Sequence, residues 1–159
     1  MCVSPLRTSV DGETDLVALV AGMTPVLRDG EYVFCSLRSL AELPPGVALG
    51  TFTEDEGTTV ILRRADAERA GLRCSGPLRL ITLQVGSNLA AVGFTAAVAG
   101  TLARAGIAAN VVAAFHHDHV FVPAERAAEA LGALRALADQ VRELGGEGVG
   151  IEGRLGGEA

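Results

Sequence analysis

The hydrophobic pattern of the chain changes its period several times, and each change marks a different element. Runs that are rich in β-branched and aromatic residues and bounded by Gly, Pro or Asp predict strands. The predicted strands are Glu31–Leu37, Val47–Thr53, Thr58–Arg63, Leu78–Val85, Ile107–Phe115 and Val120–Val122, with Val3–Ser9 as a candidate edge strand. The second and third runs form a hairpin across an acidic turn that ends in Gly57.

Apolar residues at helical spacing predict four helices between these strands. Their predicted spans are 16–23, 65–70, 88–105 and 123–144. Thr14 or Asp15 caps the first helix, and Pro25 stops it. Ser87 is the predicted N-cap of the third helix, because its hydroxyl would accept from free backbone N–H groups.

The order of the elements predicts an α+β fold of two ferredoxin-like half-domains packed as one unit. The second half reads βαββα, and the first roughly βαβββα. Ser75-Gly76-Pro77 continues neither helix nor strand, so we expect an N-terminal half at 1–76, a C-terminal domain at 77–144 and a flexible Gly-rich tail at 145–159. A complete βαββαβ unit needs a strand after its last helix; we expect the first half to supply it, with Tyr32–Leu37 as the candidate.

Composition and charge exclude two classes of partner. The chain has 159 residues, of which 49% are hydrophobic and 20% charged, which is the profile of a compact soluble protein with a sizeable core. Its net charge of −6 comes from interspersed charges and gives no basic stripe for a nucleic-acid backbone. The apolar stretches are broken before about 18 residues, the length of a membrane span. We therefore expect neither nucleic acid nor membrane as a partner.

The cysteines give no sign of a framework or a metal site. Cys2, Cys35 and Cys74 are odd in number, scattered and without CxxC spacing. Neither a disulfide nor zinc is predicted, and no export signal precedes Cys2. This usage fits a reducing cytoplasm.

Two stretches of the sequence resemble a known family. The run VGSNLAAVGFTAAVAGTLARAGIAANVVA followed by HHDHVFVP resembles the ACT domain, specifically the small stand-alone bacterial proteins with tandem ACT-like domains. The stretch FTEDEGTTVIL with ADAERAGL looks like the first-half signature of that group. The resemblance covers roughly residues 14–142. It implies a non-enzymatic regulatory protein that binds a small effector such as an amino acid between ACT units and needs no cofactor. The small residues of the third helix and the missing fourth strand predict extensive contacts between units, as in a homo-oligomer.

The general ACT pattern has Asp-x-Pro-Gly at its strand-to-helix junction and Gly-Ile-Asn at the next helix-to-strand junction. Gly93 and Gly106-Ile107 match the glycines of this pattern. Ala90, Val92 and Ala108 stand where the family has Asp, Pro and Asn. The usual contacts to an amino acid must therefore come from other residues.

The candidate ligand-binding residues lie around this junction. They are Ser87, Asn88, Val92, Gly93 and Asn110. A helix N-terminus near Ser87 and Asn88 is electropositive and suits a ligand carboxylate, and Asn110 offers an amide near the missing Asn. The alternatives are that Ser87 only caps the helix and that Gly93 only allows close packing.

The three histidines form a cluster with a carboxylate at His116-His117-Asp118-His119. Imidazole binds zinc, copper or nickel, and His116 and His119 would pair across a hairpin turn. No third fixed ligand is evident, so we prefer a turn in which Asp118 accepts from nearby backbone N–H groups. No metal site is assigned.

The remaining motifs do not predict catalysis. The acidic turn Glu54-Asp55-Glu56 offers carboxylates for a cation or an amino group, but a solvated turn explains it more simply. No GxSxG motif, phosphate loop or activated nucleophile occurs. We expect a binding protein, with a ligand-free interaction module as the alternative and a metal protein at the histidines as a weaker one.

Overall fold

The computed structural model describes residues 12–147, with side-chain surroundings for 12–145. The elements are α1 (Leu16–Gly22), β1 (Thr24–Leu27), β2 (Tyr32–Leu37), β3 (Ala48–Glu54), β4 (Gly57–Arg63), α2 (Arg64–Arg69), β5 (Leu78–Gln84), α3 (Phe94–Arg104), β6 (Asn110–Ala113), β7 (Asp118–Pro123) and α4 (Ala127–Glu147). The predicted strand Val3–Ser9 and the tail beyond 147 lie outside the described residues. Helix α4 continues three residues into the tail predicted from Gly145.

The seven strands form a single antiparallel sheet. Its order is β3-β4-β2-β5-β7-β6, and β1 also pairs with β5. The prediction of an α+β fold with ferredoxin-like halves is confirmed. The pairing of β2 with β5 is limited to Tyr32 with Leu78, at the start of β5.

The second half takes its fourth strand from the first, as predicted, but the strand is β1. Thr24–Leu27 pairs with Gln84–Ile81 along most of β5, whereas the candidate Tyr32–Leu37 belongs to the first half. From its place in the sequence, Pro25 is predicted only to end the first helix. Pro25 pairs with Leu83 at the edge of the sheet, a place where strands tolerate proline.

The first half is a reduced version of the same unit. Between β2 and β3 it has only a 3₁₀ turn, Leu40–Glu42, which Ser39 and Glu42 close with a reciprocal capping box. Where a fourth strand would stand, it has one isolated bridge between Cys35 and Cys74. The first half therefore keeps the strand order of a ferredoxin-like unit but lacks the α-helix between its first two strands.

The core is largest under the helices of the second half. Its fully buried residues come from α1, β5, α3, β7 and α4 and include Leu19, Met23, Ile81, Leu83, Val98, Leu102, Val120 and Leu134. A second cluster around Val33, Val60 and Leu62 lies under α2. Tyr32 and Phe34 contact Phe121 edge to face, with ring centroids at 6.1 and 5.3 Å, and this contact joins the two halves.

The prediction that the cysteines stay unpaired is wrong for two of them. Cys35 and Cys74 form a disulfide across the isolated bridge, with Cα atoms 4.3 Å apart. Spacing along the chain gave no hint because 39 residues separate them and only the fold brings them together. Over residues 12–147 no helix has the length and apolarity to cross a membrane.

Candidate functional site

An irregular loop connects β5 to α3 and corrects the predicted cap. Helix α3 begins at Phe94, and its N-cap is Gly93, with φ of 95°. Ser87 therefore does not cap the helix. It is buried, its N–H donates to the Val85 carbonyl oxygen at 2.9 Å, and it forms a bridge with Glu13.

The loop satisfies its backbone groups by short turns and by a bond to the segment that precedes α1. The N–H of Asn88 donates to the carbonyl oxygen of Glu13 at 3.0 Å, and the Asn88 side-chain oxygen accepts from the N–H of Ala90 at 2.9 Å. The N–H of Ala91 donates to the Asn88 carbonyl oxygen at 2.9 Å. These local bonds explain why the helix begins later than the Ser87 signal indicated.

The residue that sequence reasoning undervalued is Asp118. It opens β7, where it pairs with Leu83 and Ala113, and it is 4% exposed. No described residue donates a hydrogen bond to its carboxylate, so the predicted turn in which Asp118 accepts from backbone N–H groups is wrong. The alternation of side chains along β7 could have predicted the burial of Asp118, because this residue shares a face of the strand with the fully buried Val120 and Val122.

Asp118 borders a cavity of about 30 Å³ beneath the loop. The lining residues are Ser87, Asn88, Leu89, Ala91, Phe94, Thr95, Ala113 and Asp118. Burial raises the pKa of the Asp118 carboxyl, and the charge of His117 opposes this only in part. Burial penalises the charged form of this carboxyl, which receives no hydrogen bond from any donor among residues 12–147.

The five predicted binding residues are only partly brought together. Ser87 and Asn88 line the cavity, and Gly93 precedes the lining residue Phe94. Val92 is 85% exposed. Asn110 pairs with Phe121 at the other end of β6 and borders a separate groove of about 470 Å³.

The histidines do not converge on one point. The predicted pairing of His116 with His119 across the turn is wrong, because His119 pairs with Val112 and the N–H of Ala114 donates to the His117 carbonyl oxygen at 3.2 Å. His116 is exposed and meets the ring of Phe115 edge to face at 4.8 Å. No group of three His, Cys, Asp or Glu in the described part of the chain has the arrangement of a metal site.

His119 and His117 are each engaged elsewhere. His119 Nδ1 lies 3.2 Å from Thr82 Oγ1, which also accepts from Arg28 Nε at 3.0 Å. Burial, followed by the charges of His117 and Arg28, lowers the pKa of His119. His117 Nδ1 lies 3.3 Å from the Val85 carbonyl oxygen. His119 is therefore a neutral member of a sheet-face network.

Other openings have their polar groups already paired or in solvent. A cleft of about 480 Å³ lies between β1 and α4, but its Arg142 donates to the carbonyl oxygens of Ala21 at 2.6 Å and Met23 at 3.1 Å and pairs with Asp139. The acidic turn is exposed, and Glu54 accepts from the Thr59 hydroxyl. Neither feature has an unpaired buried charge like that of Asp118.

Comparisons with known proteins agree with this architecture. One ACT domain model matches residues 11–79, and a second matches residues 76–136. A search of curated proteins finds no match.

Three solved structures illustrate the likeness. A Vibrio cholerae protein of unknown function, described as a possible transport protein, is 45% identical over 77% of this chain and 95% of its own, with a TM-score of 0.71. A protein from Agrobacterium tumefaciens is 20% identical over 73% and 89%, with a TM-score of 0.60. The regulatory subunit of aspartate kinase from Thermus flavus is 12% identical over 72% and 97%, with a TM-score of 0.54.

The last two share the fold at low identity, while the first is a sequence relative over most of the chain. The two adjacent domain matches agree with the seven-stranded sheet, in which β1 of the first half pairs with β5 of the second. The chain belongs to the ACT-domain family and carries two ACT domains in tandem.

Proposed function

We propose that this protein binds a small effector with an ammonium group, of the amino-acid class, in the cavity beneath the β5–α3 loop. The observation that carries the proposal is Asp118, a residue 4% exposed whose carboxylate borders the cavity and receives no hydrogen bond from residues 12–147. An ammonium group brings three N–H donors and a positive charge, which together offset the desolvation of this carboxylate.

The opposite wall of the cavity suits the other charge of an amino acid. Phe94 and Thr95 belong to the first turn of α3, and no side chain caps this helix. First-turn N–H groups lack intrahelical partners and carry the positive end of the helix dipole. A carboxylate at α3 and an ammonium at Asp118 would complement the two walls at once, which supports a zwitterionic ligand.

The size of the cavity supports a site that is completed from outside. About 30 Å³ is room for roughly one water molecule, so an amino acid must displace the loop or extend beyond its mouth. The loop exposes Leu89 at 55% and Val92 at 85%, and the neighbouring hairpin exposes Phe115 at 58%. We propose that a second ACT unit, in a homo-oligomer, covers these side chains and the ligand.

The proposed role is regulation by binding rather than catalysis. Ser87, His117 and Asp118 are near neighbours, but no hydrogen bond joins any two of them in the part of the chain that the structure describes. An activated nucleophile needs such a bond to its base. A ligand that fits the site better in one arrangement of units would shift their equilibrium toward it, which is how binding would regulate a partner.

The test is a thermal-shift screen of the full chain with all twenty amino acids, followed by calorimetric titration of those that stabilise it. A ligand at 100 times its Kd adds about 2.7 kcal/mol to the free energy of unfolding. Asp118→Asn should abolish the shift, and Asp55→Asn, the same change on an exposed turn, should leave it intact. If no amino acid stabilises the chain, the ligand-free interaction module replaces this proposal.

A further inference from the structure

The Cys35–Cys74 disulfide lies at the seam between the two ACT domains. Cys35 is on β2 and is 3% exposed, while Cys74 is half-buried in the segment that leads from α2 into β5. Both pack into the first-half cluster with Val33, Leu62 and Ala67. The bond therefore joins a central strand of one domain to the connection that enters the other.

Few other interactions hold that connection. The N–H of Ser75 donates to the Phe34 carbonyl oxygen at 2.9 Å, and the Phe34 N–H donates to the Ser75 hydroxyl oxygen at 3.0 Å. The second bond ends on a side chain, so the ladder stops after one bridge. Beyond it, β2 and β5 share only the pair Tyr32 and Leu78. The disulfide is the strongest restraint on this seam.

We propose that Cys35 and Cys74 form a redox-sensitive disulfide that breaks and re-forms by thiol–disulfide exchange with a cellular dithiol. One thiolate of the dithiol attacks the Sγ of Cys74, the more exposed of the two residues. The bond to Cys35 breaks, and the Cys35 sulfur leaves with the electron pair and takes a proton. The second thiolate of the dithiol then displaces Cys74. The balance is two cysteine thiols formed and one dithiol oxidised to its disulfide.

The surroundings accommodate both states, which makes the exchange reversible. Cys74 Sγ lies 3.6 Å from the Leu72 carbonyl oxygen, so the reduced thiol has an acceptor in place. Cys35 faces Val33, Leu37 and Val60, and a free thiol is compatible with such an apolar cluster. Reduction of the disulfide frees the connection at 72–77 and weakens the coupling of the domains without disturbing the larger core of the second half.

The first test counts thiols in the folded full-length Cys2→Ser variant, which removes the third cysteine. After incubation with oxidised glutathione and then denaturation we expect no free thiol, and after native treatment with dithiothreitol we expect two. Two thiols after the oxidising treatment would show that the bond does not form. A bond that dithiothreitol reduces only in denaturant would also overturn the proposal.

The second test measures the coupling. Dithiothreitol should lower the Tm of the Cys2→Ser variant by on the order of 10 °C and broaden or split its calorimetric transition, and oxidised glutathione should restore both. Adding Cys35→Ser and Cys74→Ser should reproduce the reduced Tm and remove the response. A Tm that does not change on reduction would contradict the proposed redox-sensitive disulfide. This comparison uses only the Cys2→Ser variant, so it does not depend on whether the Cys35→Ser and Cys74→Ser variants fold. The test does not depend on any amino-acid ligand.

Discussion

At the residue scale, the charged carboxylate of Asp118 favours binding of the proposed ligand but lowers the stability of the ligand-free protein. Asp118 is a buried residue whose carboxylate receives no hydrogen bond from residues 12–147, and burial raises its pKa above the value of 3.8 that the free side chain has. Between these two pKa values the folded chain binds more protons than the unfolded one. Stability therefore falls as pH rises through the raised pKa and stays lower above it.

Replacing Asp118 by Asn removes the charge and keeps the shape. We expect the ligand-free variant to gain about 1 kcal/mol in free energy of unfolding at pH 7. The gain should shrink as pH falls through the raised pKa, because the wild-type carboxyl becomes protonated there. Urea unfolding at a series of pH values measures this. Asp55→Asn serves as the exposed control; an Asp118 variant less stable than wild type at pH 7 would show that the carboxylate has a structural partner.

The conformation of the β5–α3 loop explains why a glycine stands at position 93. Its φ of 95° lies in the left-handed region, and an added Cβ would come within 3.2 Å of Leu16 Cδ2. Gly93→Ala should therefore cost about 1–2 kcal/mol in free energy of unfolding.

Gly132 is the matched control for this change. It lies inside α4, and apart from the adjacent residues and backbone of its own helix no heavy atom comes within 4 Å of an added Cβ. Gly132→Ala should stabilise the protein by up to about 1 kcal/mol, since glycine is a poor helix former. Equal losses at both positions in chemical denaturation would show that the conformation of the loop is not the cause.

At the element scale, β1 and α1 belong to the second domain although they precede the first. Leu19, Val20 and Met23 are buried in the core under α3 and α4, and β1 covers most of one edge of β5. A fragment that begins at residue 77 lacks all of these contacts. We expect it to be molten or aggregated, with little dispersion in its amide NMR spectrum.

A peptide that spans residues 12–30 should rescue this fragment, because it carries α1 and β1 together. The expected result is dispersed amide signals on titration of the peptide. The same peptide with Met23→Asp should fail, because that side chain is fully buried. A well-folded fragment without the peptide would contradict the role assigned to β1.

At the scale of the whole molecule, the aromatic contact of Phe34 with Phe121 joins the domains beside the single strand pair. A double-mutant cycle of Phe34→Leu and Phe121→Leu should give a coupling energy of about 0.5–1.5 kcal/mol. Phe52 on β3 is 48% exposed and has no ring contact with Phe121, so Phe52→Leu should add independently to Phe121→Leu. Additivity in the first cycle would show that these rings do not couple the domains.

The parts of this fold that depend on short-range pattern were predictable. The spacing of Leu16, Leu19 and Met23 marked α1, and the last amphipathic helix was placed within a few residues of its observed start. The parts that failed depend on long-range pairing. Pro25 is in a strand only because Leu83 lies beside it, and Cys35 meets Cys74 only because the seam closes.

The candidate site shows the same division. Ser87 and Asn88 were found because they follow a strand, and they do border the cavity. Asp118 was assigned to a turn because it lies between two predicted strands and Asp commonly accepts from backbone N–H groups in turns, although its place on the buried face of β7 gives it a different environment. Whether a polar residue of a hairpin is solvated or buried depends on where the turn ends, and such boundaries are the least certain part of a pattern.

The pairing of β1 with the second half also determines when the molecule can finish folding as it is synthesised. Arg142 on α4 donates to the carbonyl oxygens of Ala21 and Met23, a closure that spans 121 residues for Ala21. At ribosomal rates of about 5–20 residues per second, α1 and β1 wait on the order of 10 s for this partner. During that interval the first domain has its own strands available while the apolar face of α1 is uncovered. The nascent chain is therefore most exposed to chaperones and to misassembly before its last helix emerges.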